Sequence, residues 1–81
     1  MKTLNEVVVE KLLFYMDELN ISQYKLAQLS TIPFPTIKSI MQRRTKGITL
    51  KTIILLAHGL GVSLNEFLSD EAFSLENLIL E

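Results

Sequence analysis

The residues in this chain with the most chemistry to offer are cations. Lys25, Lys38, Arg43, Arg44, Lys46 and Lys51 lie in a stretch with no Asp or Glu between Glu18 and Glu66. No carboxylate within the stretch can neutralise them, so they form a basic block between acidic ends, suited to a nucleic-acid backbone. The net charge of -1 and a pI near 5.8 point the other way, because strongly basic domains are the usual footprint of such binders. Charge alone is equally compatible with ordinary solvated side chains. Catalysis has little to draw on. Without Cys there is no thiol nucleophile and no thiolate metal site, and the single His, His58, falls inside a helical pattern. The carboxylates sit in the first helix and beyond residue 65, where solvated helix faces account for them. No enzyme, metal or cofactor is expected.

The elements that position the basic block follow from composition and spacing. A chain of 81 residues builds one core, since a domain of this size buries only about 60 to 65% of its unfolded surface. With 48% hydrophobic residues, three Gly and two Pro, it is too apolar for disorder and too poor in turn residues for a sandwich of short strands. An all-α fold is expected. The apolar runs Leu12 to Met16 and Ile53 to Ala57 are far shorter than the roughly 20 residues of a membrane span. No signal-peptide pattern opens the chain, so a soluble, cytoplasmic protein is expected.

Helix-start signals divide the chain. Thr3 with Glu6 has capping-box spacing, and Leu4, Val8, Leu12, Met16 and Leu19 continue at helical period, predicting a first helix over 4–19. Asn20 suits a left-handed end, and Ser22 caps a second helix over 23–30, with Ile21 and Leu26 placed as a hydrophobic staple. Thr31 to Pro33 break the pattern. A third helix starts near Pro35, where a missing N–H costs nothing, and turns Ile37, Ile40 and Met41 inward. Arg43 to Ile48 read as a loop. Thr49 caps a fourth helix with Leu50, Ile53, Ile54, Ala57 and Leu60 on one buried face, and Gly61 stops it. Ser63 with Glu66 predicts a second capping box and a short fifth helix from residue 64. Residues 1–70 form the domain. Residues 71–81 form an amphipathic extension, read either as a last helix covering the core or as a contact with a second copy.

A short helix, a tight break and a second helix can present one helix to a groove if a small residue lets them touch and apolar residues line the inside. Ala27 is that small residue, with Leu26, Ile32, Ile37 and Ile40 inside. Spacing alone would fit any short helical hairpin. The segments ISQYKLAQLS, TIKSIM and ITLKTIILLAHGLGVSLNEFL make the resemblance specific: Ile21 to Asp70 resembles the phage repressor and Cro-like helix-turn-helix family of transcription regulators. The most diagnostic part is Leu56, Ala57, Leu60, Gly61, Val62, Ser63, Leu64 and Phe67.

The resemblance implies a five-helix domain whose third helix lies in the major groove of double-stranded DNA, commonly as a homodimer and as a repressor. It places Phe34, Pro35, Thr36, Lys38 and Ser39 at the bases and Gln23, Tyr24, Arg43 and Arg44 near phosphates. A helix N-terminus attracts phosphate through free N–H groups and its dipole. A cation in that first turn, Lys25, is locally unfavourable unless an anion docks there, and Lys46 extends the basic edge.

Three departures stand out. Thr31 occupies a turn position where the family often has Gly, so the turn avoids positive φ or carries strain. Ser30 replaces an apolar residue. Met16 and Met41 stand where the family frequently pairs Arg with Glu, an exchange in which both partners change together. The third helix is also poor in side chains that bond base edges bidentately. The competing reading is a protein-interaction module on the same fold, antitoxin-like or adaptor-like, contacting a partner protein through Phe34, Tyr24 and the apolar tail.

Overall fold

The structure, a computed structural model, describes residues 1–79. Its first helix starts where local chemistry requires. The Thr3 hydroxyl accepts from the Glu6 N–H, and the Glu6 carboxylate accepts in return from the Thr3 N–H at 3.2 Å, so α1 (Leu4–Leu19) opens with its free donors satisfied. Asn20 closes it at φ 54°, the left-handed conformation that Asn tolerates best after Gly. Ser22 then caps α2 (Gln23–Ser30) by accepting from Lys25, and the chain turns at Thr31 into α3 (Phe34–Met41). Thr49 caps α4 (Leu50–Leu60), Gly61 ends it at φ 76°, and α5 (Leu64–Leu68) follows from Ser63. At Ser63 only the hydroxyl half of the expected box forms: Glu66 donates its N–H at 3.0 Å, and its carboxylate makes no return bond.

One core joins the helices. Val8, Val9, Leu12 and Met16 from α1 meet Leu26 and Ala27 of α2, Ile37, Ile40 and Met41 of α3, Ile53, Leu56, Ala57 and Leu60 of α4, and Phe67 of α5. Met16 and Met41 thus sit in the same apolar interior, with no buried charge at either position. The apolar stripes are narrower than their periodicity suggests. Leu4 and Leu19 are exposed at the ends of α1, and on α4 Leu50 and Ile54 are 58% and 46% exposed. At about 100° per residue these two fall on the flank of the arc centred on Ile53, Ala57 and Leu60.

The expectation for Thr31 resolves towards strain. It adopts φ 61° and ψ 21°, a conformation a β-branched residue avoids. The left-handed region costs an L-residue roughly 1–2 kcal/mol, and glycine gives back about 0.5–1 kcal/mol in chain entropy. Thr31→Gly is therefore expected to stabilise the fold by about 0.5–1 kcal/mol, read as a higher midpoint in urea. A lower midpoint would show that the bond from the Thr31 hydroxyl to the Ser30 carbonyl outweighs the strain.

The tail corrects the single-helix expectation. It forms two 3-10 turns, Glu71–Phe73 and Leu75–Asn77, and then a short strand β2 (Leu78–Ile79). Ser74 between the turns is extended, at φ -70° and ψ 140°, which interrupts any continuous helix. β2 pairs in parallel with β1 (Lys2–Thr3), Lys2 opposite Leu78 and Thr3 opposite Ile79, which buries Leu78 against the start of α1. Asp70 fixes the approach by accepting from the Ala72 N–H and from Lys11 at 3.3 Å, and these two bonds hold its carboxyl below the ordinary carboxylate range. Leu80 and Glu81 of the expected extension lie outside the described residues.

Candidate nucleic-acid interface

α2 and α3 are the two helices joined by the tight turn at Thr31. Ile37, Ile40 and Met41 hold α3 to the core, which leaves Pro35, Thr36 and Lys38 exposed and Ser39 half-buried on its outer side. The N-terminus of α3 is chemically unusual. Pro33 and Pro35 have no N–H, and Thr36 and Ile37 both donate to the Pro33 carbonyl, at 3.0 and 3.1 Å, so the Phe34 N–H is the one donor left in its first turn. α2 differs. Ser22 takes the Lys25 and Leu26 donors, and Gln23 and Tyr24 keep free N–H groups at the positive end of the helix dipole. Of the two helix starts, α2 is the better place for a phosphate.

Three expected site residues come together at the α2–α3 junction. The rings of Tyr24 and Phe34 meet edge-to-face at 5.5 Å and 81°, and the Lys38 ammonium lies 5.6 Å from the Phe34 ring centre. Tyr24 is 58% exposed, and Phe34 is half-buried against the core. The result is an apolar edge with a cation beside it, braced from two helices. Lys25 is exposed and makes no side-chain bond among the described residues.

Arg43, Arg44 and Lys46 gather at the other end of α3. Arg43 turns the chain at φ 59°, donating its N–H to the Ile40 carbonyl, and Arg44 donates to the Ser39 carbonyl at 3.0 Å. Asn5, from the first turn of α1, donates its side-chain amide to the carbonyls of Thr45 and Lys46 at 2.6 and 2.7 Å. This clamp sets the height of the basic loop against α1, and no sequence signal announced it, because the partners stand 40 and 41 residues apart. Glu6 lies at the same edge. Its carboxyl is held below the usual range mainly by the Thr3 N–H and hydroxyl, with Arg43 adding a smaller attraction.

Of eight Lys and Arg, Lys2 pairs with Glu10 at 2.6 Å and Lys11 with Asp70 at 3.3 Å. The other six, Lys25, Lys38, Arg43, Arg44, Lys46 and Lys51, are all exposed and form no ion pair among the described residues. The basic block of the sequence is a set of exposed charges on α2, α3, the following loop and the start of α4, with Glu6 near Arg43 as the carboxylate at its edge. Among the described residues no helix is long and apolar enough to cross a membrane, and no acidic, Cys or His group could hold a metal.

Comparison with known proteins agrees with the helical layout. Residues 13–67 match the family described as helix-turn-helix, a span running from the middle of α1 to Phe67 in α5. No curated protein and no solved structure matches the chain. The match covers α2, α3 and the whole of α4, and with it the chain belongs to the phage repressor and Cro-like helix-turn-helix family of DNA-binding regulators.

Proposed function

We propose that this chain binds double-stranded DNA sequence-specifically and represses transcription, placing α3 in the major groove as a homodimer on a two-fold operator. The observation that carries the reading is the set of six exposed cations, on α2, α3, the following loop and the start of α4, that form no ion pair among the described residues. Charges left without internal partners need break no ion pair to meet phosphates, and the counterions they release from the duplex drive binding. In this reading Gln23, Tyr24, Lys25, Arg43, Arg44 and Lys46 meet phosphates, and Phe34, Pro35, Thr36, Lys38 and Ser39 face the bases.

The side chains on α3 shape what can be read. With no Asn, Gln or carboxylate over 34–41, bidentate bonds to adenine and acceptance from cytosine are absent. Lys38 can donate to guanine, Thr36 and Ser39 can donate or accept, and Phe34 can cover a thymine methyl. Removing one buried methyl costs about 0.8 kcal/mol, roughly a fourfold loss in affinity. Replacing the thymine opposite Phe34 by uracil is therefore expected to weaken the parent chain about fourfold and Phe34→Ala hardly at all. An equal loss in both proteins would reject the contact.

For the homodimer, Leu75 and Ile79 are the exposed large apolar side chains among the described residues of the tail. Leu75→Glu is expected to shift the sedimentation profile towards monomer. An unchanged profile would remove the tail from the dimer contact.

A further inference from the structure

α1 buries one face and shows another. Val8, Val9, Leu12 and Met16 point into the core that α1 shares with α3 and its neighbours. On the opposite side Leu13 is 48% and Phe14 56% exposed, with Glu10 and Asp17 one turn to either side of them on the same face. Beside Phe14 a notch of about 240 Å³ opens between α1 and the start of the tail, lined by Val7, Glu10, Lys11, Phe14, Asp70 and Ala72. The cations at this face are already engaged: Lys11, which lines the notch, pairs with Asp70 and lies 6.0 Å from the Phe14 and 5.4 Å from the Tyr15 ring centres, and Lys2 pairs with Glu10. Asp17 and Glu18 have no cation partner among the described residues. The face is an apolar ridge and notch within an acidic frame.

We propose that this face docks a segment of a partner protein that carries one bulky apolar side chain flanked by Lys or Arg. The apolar side chain enters the notch beside Phe14, and the flanking cations meet Asp17, Glu18 and the outer edge of Glu10. A second copy of this chain fits poorly. Two-fold pairing of the face would set Glu10, Asp17 and Glu18 of each copy against one another. Offering the basic block of a second copy instead makes a head-to-tail contact that does not close, and it uses the cations assigned to phosphate. The face is small, so the contact is weak and exchangeable. It also points away from the core side on which α1 meets α3, so a duplex and the segment can be held together.

Selection of a displayed library of random peptides against the full chain tests this, with unlabelled duplex present to cover the basic block. Enriched peptides are expected to share a bulky apolar residue between Lys or Arg. Their affinity is expected to fall about tenfold or more on Phe14→Glu, and similarly on Asp17→Lys combined with Glu18→Lys. All three positions lie outside the core, so circular dichroism should show the helical content of the parent chain, and the lysine pair, which leaves the Phe14–Tyr15 contact intact, should keep its thermal midpoint. Enrichment of acidic peptides, absence of any consensus, or binding indifferent to both variants overturns the proposal. So does a dimer that Phe14→Glu dissolves, which would make a second copy the occupant.

Discussion

Arg43→Ala combined with Arg44→Ala is expected to lower affinity for every duplex by about 3 kcal/mol, roughly a hundredfold, for each chain bound. The figure takes each arginine as one charge-assisted bond to phosphate at about 1.5 kcal/mol or more. Alanine keeps the Cβ, so the left-handed backbone at Arg43 carries the same cost in the variant as in the parent chain. The loss should be nearly independent of sequence, because phosphates position a protein without telling it which bases it faces. The slope of log affinity against log salt should flatten by about 0.9 for each contact removed. Lys38→Ala, by contrast, should alter which sequences are preferred while leaving non-specific affinity nearly unchanged. If both variants lose affinity and selectivity in the same proportion, the division between the two ends of α3 is wrong.

Gly59→Ala should destabilise the fold by about 1–3 kcal/mol, the usual cost of forcing an extra carbon into a packed contact. In an exposed helix interior the same change normally stabilises by about 1 kcal/mol, so the sign itself is diagnostic. A Cβ at Gly59 would lie 2.8 Å from the Ser30 nitrogen and 2.9 Å from its Cα, and backbone cannot rotate out of the way. α2 and α4 approach there at the distance a missing side chain permits. The Ser30 hydroxyl is buried beside this contact, donating to the Ala27 carbonyl and accepting from Ile32, both at 3.4 Å. Ser30 therefore occupies its apolar-type position without an unsatisfied group. Spreading the two helices displaces the turn into α3, so affinity for DNA should fall along with stability. Calorimetry should show the midpoint dropping by about 5 °C or more, at roughly 4–8 °C per kcal/mol for a domain of this size. A rise would mean that the helices separate freely and that the contact does not set the angle of the reading unit.

Helix ends follow from short stretches of sequence. Thr3, Ser22, Thr49, Ser63, Asn20 and Gly61 all act at helix ends as their spacing suggested, because a cap is settled within a few residues of chain. Features that depend on distant partners were harder to see. Ala27 is the expected point of close approach and is buried, and a second close approach falls at Gly59 against the Ser30 backbone. A glycine inside an otherwise strong helical pattern was the available signal. The burial of Leu50 and Ile54 failed as an expectation because periodicity defines a stripe without defining how much of its width is covered. The tail followed the same logic. Its apolar residues implied a surface to cover, but pairing with Lys2 and Thr3 depends on where α1 begins in space. At the candidate site, the residue types and the basic block were visible from the start. The grouping of Tyr24, Phe34 and Lys38, and the grip of Asn5 on the basic loop, required the folded arrangement.

In the proposed complex α3 stands at a duplex with unpaired cations on either side of it. Selecting bound sequences from a random duplex pool and titrating the best of them across salt tests it most directly. Four phosphate-facing cations, Lys25, Arg43, Arg44 and Lys46, predict a slope of log affinity against log salt of about -3.6 per bound chain at about 0.9 per contact, and so about -7 for the two-fold pair, together with convergence on one short two-fold-symmetric sequence. A flat salt response with no converging sequence would contradict it, and would leave the protein-interaction module as the better description of this chain.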